Sequence, residues 1–347
     1  MIKEAIGFAV DGRPLTHRIA TSTMKEIMTG QCTPAQIGAL LTALRIKGET
    51  VGEIASFATV MKEFCQRIEP KVEGKLVDTC GTGGDSCRTF NVSTAAAFVA
   101  AGAGAKVAKH GNRAVSGLCG SADVLESVGV KLDVEPRVVE TAISEIGIGF
   151  IFAPTFHPSF KFAGPPRREI GIRTIFNLLG PLTNPAGASS QLLGVYDPAL
   201  TVTLARVLKE LGTEEAMVVH GVGGLDEISA SGVTKVTRLH HGKIETKELR
   251  PKDFGLRPRT TMGGIVSSPG ESVKTFVDVL KGRYSGAAAD MVLVNAAAAI
   301  VVAGLEKELV DGVARARESL SNGAAEGKLR QLIKATKGDY SRLDRLQ

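Results

Sequence analysis

At 347 residues the chain exceeds the roughly 250–300 residues at which a single hydrophobic core stops growing, so two domains are expected. A composition of 44% hydrophobic and 22% charged residues excludes wholesale disorder, and a net charge of +6 spread along the chain, without a block of like charges, excludes a basic nucleic-acid-binding tail. Five cysteines, an odd count without CxxC spacing, indicate neither a disulfide framework nor a zinc site and fit a reducing, cytoplasmic setting.

The N-terminal stretch MIKEAIGFAVDGRPL lacks the long apolar core and small-residue cleavage signal of a secretory peptide. Residues 1–72 read as a domain of short amphipathic helices. Two helix starts carry capping boxes, Thr33 with Gln36 and Thr50 with Glu53, the first with Pro34 at its first turn. Ile37, Leu40, Leu41 and Leu44 then recur at helical spacing, as do Ile54, Phe57, Ala58 and Met61. Such stripes mark a core or a subunit interface, and no chemistry is assigned to them. From Lys75 onward, short apolar runs alternate with glycine-rich turns and longer helical segments, the pattern of an α/β unit with a mainly parallel sheet over 73–347. Candidate strands are 76–78, 106–109, 149–153, 192–196 and 216–220, with a helix over 198–211. The segment 250–256 reads as a polar connection. An Ala-rich helix over 286–304 is expected to be buried; its apolar run Val292–Leu305 contains Asn295 and falls short of the roughly 20 residues a bilayer requires, so no membrane span is expected.

Forty glycines and no tryptophan direct attention to glycine-built loops. The stretch from Asp78 through Gly81, Gly83, Gly84 and Asp85 follows a strand, and Thr89-Phe90-Asn91-Val92-Ser93-Thr94 then opens a helix. Glycines let backbone approach a phosphate, and the helix start offers free N–H groups and a positive dipole end. The loop matches neither the dinucleotide fingerprint nor a Walker loop. A tight structural turn with an ordinary cap is the plainer explanation, but a second polar loop, Lys109-His110-Gly111-Asn112-Arg113-Ala114-Val115-Ser116-Gly117, also follows a strand. Loops at the carboxyl ends of neighbouring strands face one crevice. Ser121 is expected to cap the next helix and leave its N–H groups for phosphate; for His110, a structural histidine bonded to backbone competes with direct ligand contact. A third loop, His220 to Glu227, ends in Asp226 and Glu227, adjacent carboxylates suited to Mg²⁺ that bridges to substrate phosphates. His240-His241-Gly242 reads as a surface hairpin in preference to a ligand pair. In the segment 152–185, one arginine of the Arg167-Arg168 pair has the planar fork to grip a carboxylate.

The ordered set GTGGD, NVST, KHGNRAVSG, GSADVLE, FAPTFHPSFK, RTIFNLLGPLTNP and HGVGGLDE resembles the anthranilate phosphoribosyltransferase family over nearly the whole chain. The resemblance implies a small helical domain, hinged to a larger α/β domain of nucleoside phosphorylase type and completed by part of 165–190. It also implies a homodimer formed through the helical domains. It places phosphoribosyl pyrophosphate on Gly81, Gly84, Asp85, Thr89, Asn91, Val92, Ser93, Thr94, the loop from Lys109 to Gly117, and Ser121. Anthranilate falls on Gly81, Asn112 and Arg167, and two Mg²⁺ ions per subunit on Ser93, Asp226 and Glu227. Two departures stand out: Pro166 where the family commonly has an aliphatic residue, which keeps both Arg167 and Arg168 as candidates, and the bulky run Ser86-Cys87-Arg88 in the first loop. The implied reaction is displacement at the ribose anomeric carbon, driven by positioning and by stabilised charge on the leaving pyrophosphate, with His110 as the candidate catalytic group. The rivals are a pyrimidine nucleoside phosphorylase of related fold, against which KHGN and Asp226-Glu227 argue, and a non-catalytic nucleic-acid-binding relative, against which the retained phosphate and metal positions argue.

Overall fold

The structure, a computed structural model, describes residues 1–83, 87–114, 118–261 and 263–346. Gly84, Asp85, Val115, Ser116 and Gly117, assigned above to phosphate binding, lie outside the described residues.

The N-terminal helices are Ile2–Val10, His17–Met28, Pro34–Lys47 and Val51–Glu63. Both expected capping boxes are present: Thr33 and Thr50 each accept from the backbone N–H three residues on, and Gln36 and Glu53 reach back to the cap N–H. Glu53 also accepts from the N–H of Leu15 at 2.8 Å and pairs with Lys47 at 2.9 Å, so one buried carboxylate ties three segments of the bundle together.

Seven strands follow: β1 (Leu76–Asp78), β2 (Lys106–Gly111), β3 (Ile148–Phe152), β4 (Ser190–Gly194), β5 (Glu215–Gly221), β6 (Thr234–His240) and β7 (Lys243–Leu249). They form one sheet in the order β3-β2-β1-β4-β5-β6-β7, parallel from β3 to β5 and antiparallel at β6 and β7. The expected α/β class with a mainly parallel sheet is therefore observed. β6 and β7 were not among the expected strands. Thr234–His240 carries Lys235 and Arg238 between apolar residues, and β7 is an exposed, charged edge strand whose pattern resembles a loop.

Between β3 and β4 the chain leaves the sheet through Ala153–Phe156, a 3₁₀ turn at Pro158–Phe162, Gly164–Ile170 and Ile175–Leu182. The last two helices pack on Pro34–Lys47 and Val51–Glu63. Ile175, Phe176, Leu178, Leu179 and Leu182 join the core of the N-terminal helices, which runs on to one face of β4 and β5 through Leu193, Val195 and Val218. The second core lies on the other face, around Val92–Gly102 and the Ala-rich helix Ala287–Val302, which is buried along its length as expected. Alanine on both helices lets them approach closely. The segment 250–256 is only partly the polar connection expected: Pro251, Phe254 and Leu256 are buried beneath it.

Candidate active site

The strand order fixes where a ligand sits. From β1 the chain winds outward to β2 and β3, then returns to β4 on the other side of β1, so the sheet has a switch point between β1 and β4. In open α/β sheets the crevice forms at the carboxyl ends of the strands flanking such a point. The first glycine loop leaves β1 there and is stitched to β4: Thr82 N–H donates to Gly194 O at 2.9 Å, and Tyr196 N–H to Thr82 Oγ1 at 3.3 Å.

Asp226 and Glu227, on the loop after β5, close the same junction. Gly83 N–H donates to Asp226 Oδ2 at 3.0 Å, and Ser93 N–H, in the first turn of the helix Val92–Gly102, donates to Glu227 Oε1 at 3.0 Å. Glycine is required at this point by space. A Cβ on Gly81 would lie 3.0 Å from Asp226 Oδ2, and one on Gly194 would lie 1.6 Å from Asp226 O. The structure thus brings Gly81, Ser93, Asp226 and Glu227 together: hard oxygen donors, one carboxylate half-buried and one buried, beside the positive end of a helix, a donor set suited to Mg²⁺. Thr89 pairs as an isolated bridge with Ile265, and Asn91 Nδ2 donates to Cys119 O at 3.1 Å and to Ser272 Oγ at 3.4 Å, so this amide links the two glycine loops. Val92 is buried, and Thr94 Oγ1 is buried without a hydrogen-bond partner among the described residues.

The second loop is held by its own neighbours. Asp123 accepts from the N–H groups of Ala114 and Gly120, both at 2.9 Å. Arg113 is 3.1 Å from Asp123 and 2.7 Å from Glu126, contacts that raise its pKa further above an already high value, Glu126 contributing most. Ser121 does not cap the helix as expected. Gly120 is the cap residue and Ser121 the first helical residue, because Asp123 supplies the capping carboxylate and Ser121 Oγ donates to Asn112 O at 3.3 Å instead. Gly111 leaves room for that hydroxyl, since a Cβ there would lie 2.2 Å from Ser121 Oγ.

Beneath both loops lies a buried polar cluster. Lys109 is 4% exposed, and its ammonium donates to Thr79 O at 3.0 Å, supporting the first loop from below. Asp78 accepts from His110 N–H at 3.2 Å and from Asn184 Nδ2 at 2.8 Å. Burial raises the Asp78 carboxyl to about 6, with Lys109 and these donors opposing the rise. His110 is bonded to backbone, its Nδ1 to Gly180 O at 3.1 Å, while its Nε2 is buried with no partner among the described residues. A carbonyl accepts only, so Nδ1 carries the proton and Nε2 presents a lone pair. His157 repeats the arrangement with the Thr183 backbone and an unpartnered Nε2, its ring centroid 5.2 Å from that of His110. Burial first, then the neighbouring imidazole, lowers His110 to about 3; burial lowers His157 to about 4. Both rings are neutral acceptors at ordinary pH. Asp78, Cys80 and His110 present ligand atoms within 4.8 Å of one another, but burial keeps the Cys80 thiol protonated and Asp78 already accepts from His110 N–H and Asn184.

Arg167 and Arg168 separate clearly. Arg167 is half-buried, lies 5.9 Å over the Phe160 ring and makes no ion pair among the described residues; Arg168 is exposed. Burial lowers the Arg167 pKa, the sign of a cation whose desolvation no anion relieves.

Three contributors escaped the sequence reading. Asn295 is fully buried: its Oδ1 accepts from Ile228 N–H at 2.9 Å, and its Nδ2 donates to Ile228 O at 3.0 Å and Met291 O at 2.8 Å, pinning the residue after Glu227. An asparagine in an otherwise apolar helix was the available signal. His157 and Asn184 gave no comparable signal: the partner of His157 is the Thr183 backbone, and those of Asn184 are the Asp78 carboxylate and Ala108 O, far away in sequence. A cavity of about 490 Å³ lies elsewhere, around Gly102, Arg315 and Glu318 at the far end of the helix whose first turn carries Ser93.

A helical bundle joined to an α/β unit with a phosphate-suited switch point defines a class of transferase folds. Residues 73–326 match the a/b domain of a glycosyl transferase family and residues 3–65 its helical bundle domain. A protein of Anaeromyxobacter sp. (strain K) named anthranilate phosphoribosyltransferase is 52% identical, covering 97% of this chain and 99% of its own. The crystal structure of anthranilate phosphoribosyltransferase from Thermus thermophilus superposes with a TM-score of 0.91 at 40% identity, covering 96% of this chain and 99% of that one. The Saccharomyces cerevisiae enzyme, in complex with phosphoribosyl pyrophosphate and Mg, gives a TM-score of 0.84 at 28% identity over 93% and 94%. The chain belongs to the anthranilate phosphoribosyltransferase family.

Proposed function

We propose that this chain transfers the 5-phosphoribosyl group of phosphoribosyl pyrophosphate to the amine of anthranilate, releasing pyrophosphate, the second step of tryptophan biosynthesis from chorismate. The observation that carries this reading is the junction of Asp226 and Glu227 with the first glycine loop and the start of the helix Val92–Gly102. A polyanionic leaving group needs that arrangement, and a phosphorylase that uses only inorganic phosphate does not. Nothing in the second loop or the buried cluster favours a nucleic-acid partner.

In this reading the anomeric C1–N bond forms as the C1–O bond to pyrophosphate breaks, and the proton lost by the amine passes to the departing pyrophosphate or to solvent water. Loop N–H groups, the helix N-terminus, Asn91, Ser93, Thr94, Lys109 and the loop beyond it bind the phosphoribosyl donor. Ser93, Asp226 and Glu227 hold Mg²⁺, in two ions per subunit, and when bound the metal neutralises charge growing on the pyrophosphate. Arg167 grips the anthranilate carboxylate beside Gly81 and Asn112, an assignment its unpaired, half-buried guanidinium supports over Arg168. The Nε2 atoms of His110 and His157 are fixed acceptors for amine N–H bonds. A group lowered to about 3 orients the nucleophile but does not retain its proton, so His110 is a positioning residue and not a general base. The functional protein is a cytoplasmic homodimer joined through its helical domains, with 1–72 and part of 165–190 in the helical unit and 73–347 in the donor-binding unit. Among the described residues no helix is long and apolar enough to cross a membrane.

Anthranilate fluorescence, followed with phosphoribosyl pyrophosphate and Mg²⁺, tests the reading. Wild type should turn over, and Asp226→Ala/Glu227→Ala should lose roughly 10³-fold or more of kcat/KM while keeping its circular dichroism. A folded wild type without turnover overturns the proposal. Arg167→Ala should raise the KM for anthranilate by about 10–100-fold, the value of a charge-assisted bidentate contact, while Arg168→Ala stays within about twofold.

A further inference from the structure

The sheet has a second pole, opposite the crevice, where β5 begins and β6 ends. β6 turns into β7 through His241 and Gly242, with His240 opposite Lys243 and with φ of +47° and +74° at the two turn residues. Positive φ at both central positions is the mirror-image turn whose twist matches a two-residue hairpin. In a straight strand successive side chains point to opposite faces, but the left-handed His241 reverses the chain and brings its ring back beside that of His240, with centroids 4.1 Å apart. Beneath them is Glu215, the first residue of β5, paired with His240 in the strand register and only 4% exposed. Its Oε2 is 2.7 Å from His240 Nδ1 and its Oε1 is 4.0 Å from His241 Nε2.

We propose that Glu215, His240 and His241 form a binding site for a divalent transition-metal ion of the Zn²⁺ type, independent of the catalytic crevice. One ligand atom from each residue lies within 4.8 Å of the others. Tetrahedral zinc with bonds of about 2.0–2.2 Å holds its ligand atoms roughly 3.3–3.6 Å apart; the 2.7 Å contact is a His240–Glu215 hydrogen bond that the ion would replace, and the 4.0 Å separation runs from His241 to the other oxygen of the same carboxylate. Two imidazoles and one carboxylate select Zn²⁺ or its neighbours over Mg²⁺, which prefers an all-oxygen shell. The two histidine side chains are 48% and 78% exposed, so an ion has an open approach and water completes the shell. The competing cation is Lys75, whose Nζ is 3.3 Å from Glu215 Oε1. It is partly exposed on a flexible stem and can swing into solvent when the ion enters. Bound there, the ion clamps the free hairpin of the exposed edge strand to the centre of the sheet.

The test is zinc uptake from ZnCl₂ by metal-stripped full-length protein, measured by equilibrium dialysis for wild type, His241→Asn and His240→Asn/His241→Asn. Wild type should hold one more Zn²⁺ per chain than the double variant and gain thermal stability from zinc that the double variant does not. Its Co²⁺ form should show the visible absorption of a tetrahedral site. Because His241 is a surface turn residue, the single variant keeps the fold; it should weaken this site by roughly 100-fold or more, since even partners of metal ligands are worth 10–100-fold. Mg²⁺-dependent turnover should be unchanged in both variants. Equal zinc content and equal thermal response in wild type and double variant would overturn the site.

Discussion

The two glycine loops at the crevice follow neighbouring strands and read alike in the sequence, yet they are held in opposite ways. The first loop takes its anchors from far along the chain: Gly83 on Asp226 and Ser93 on Glu227 are separated by 143 and 134 residues. Past Lys109 and His110, whose bonds reach Thr79, Asp78 and Gly180, the second is anchored locally, with Arg113, Ala114 and Gly120 all converging on Asp123, at most 10 residues away. The carboxylates that order the first loop are also the candidate metal ligands, so its shape and the metal are one problem. The second loop needs no such help. The lesson is that a glycine loop can be preassembled by the very groups proposed to hold a metal beside it.

The strongest way to sharpen this contrast leaves both carboxylates in place and removes their support. Asn295→Ala strips Ile228 of both backbone partners inside the core and should cost about 2–4 kcal/mol, read from urea unfolding. If the contrast holds, the variant should also need more Mg²⁺ for half-maximal turnover, because Glu227 is displaced with Ile228. Unchanged Mg²⁺ dependence in a destabilised protein would separate core stability from the first loop and break the coupling argued here.

The cluster beneath both loops gives a pH test of similar size. His110 lies far below its ordinary value of 6.5 when folded, so the unfolded chain takes up its proton first, and stability is lost as pH falls below 6.5 toward 3. His157 acts in the same direction. Asp78 has the opposite sign: raised from 3.8 to about 6, it contributes stability that is fully present at low pH and is lost as pH rises through 6. Two histidines outweigh one aspartate, so the urea midpoint should drop between pH 6.5 and 5. His110→Asn should remove about 2 kcal/mol of that drop, at roughly 1.4 kcal/mol per pH unit, and Asp78→Asn should steepen it.

What the sequence disclosed follows the same division between local and distant. Capping boxes at Thr33 and Thr50, the buried Ala-rich helix and the strand-loop-helix texture around Gly81 and Lys109 all depend on neighbours within a few residues, and they were legible. The glycine-rich third loop made Asp226 and Glu227 visible as a pair, but not what they bond. Ser121 was misplaced by one position because Asp123, three residues past Gly120, offers a better capping acceptor than the serine hydroxyl. The roles of His157, Asn184 and Asn295 stayed hidden because Thr183, Asp78 with Ala108, and Ile228 reach them only in the folded chain. The exposed edge strand β7 was missed because its charged residues need not alternate, and β6, paired on both sides, because Lys235 and Arg238 interrupt its apolar pattern.

The smallest expected effect falls on the second loop. Arg113 pairs with Asp123 and Glu126 at the surface, its side chain 47% exposed, and exposed ion pairs contribute between nothing and about 1 kcal/mol. Arg113→Ala should therefore change the unfolding free energy by less than about 1 kcal/mol, since Asp123 still accepts from Ala114 and Gly120. Asp123→Ala removes both of those bonds and the helix cap together, and should cost about 1–3 kcal/mol. A larger loss from the arginine than from the aspartate would mean that the loop is held by charge and not by its backbone, and local self-support would then be the wrong description of the second loop.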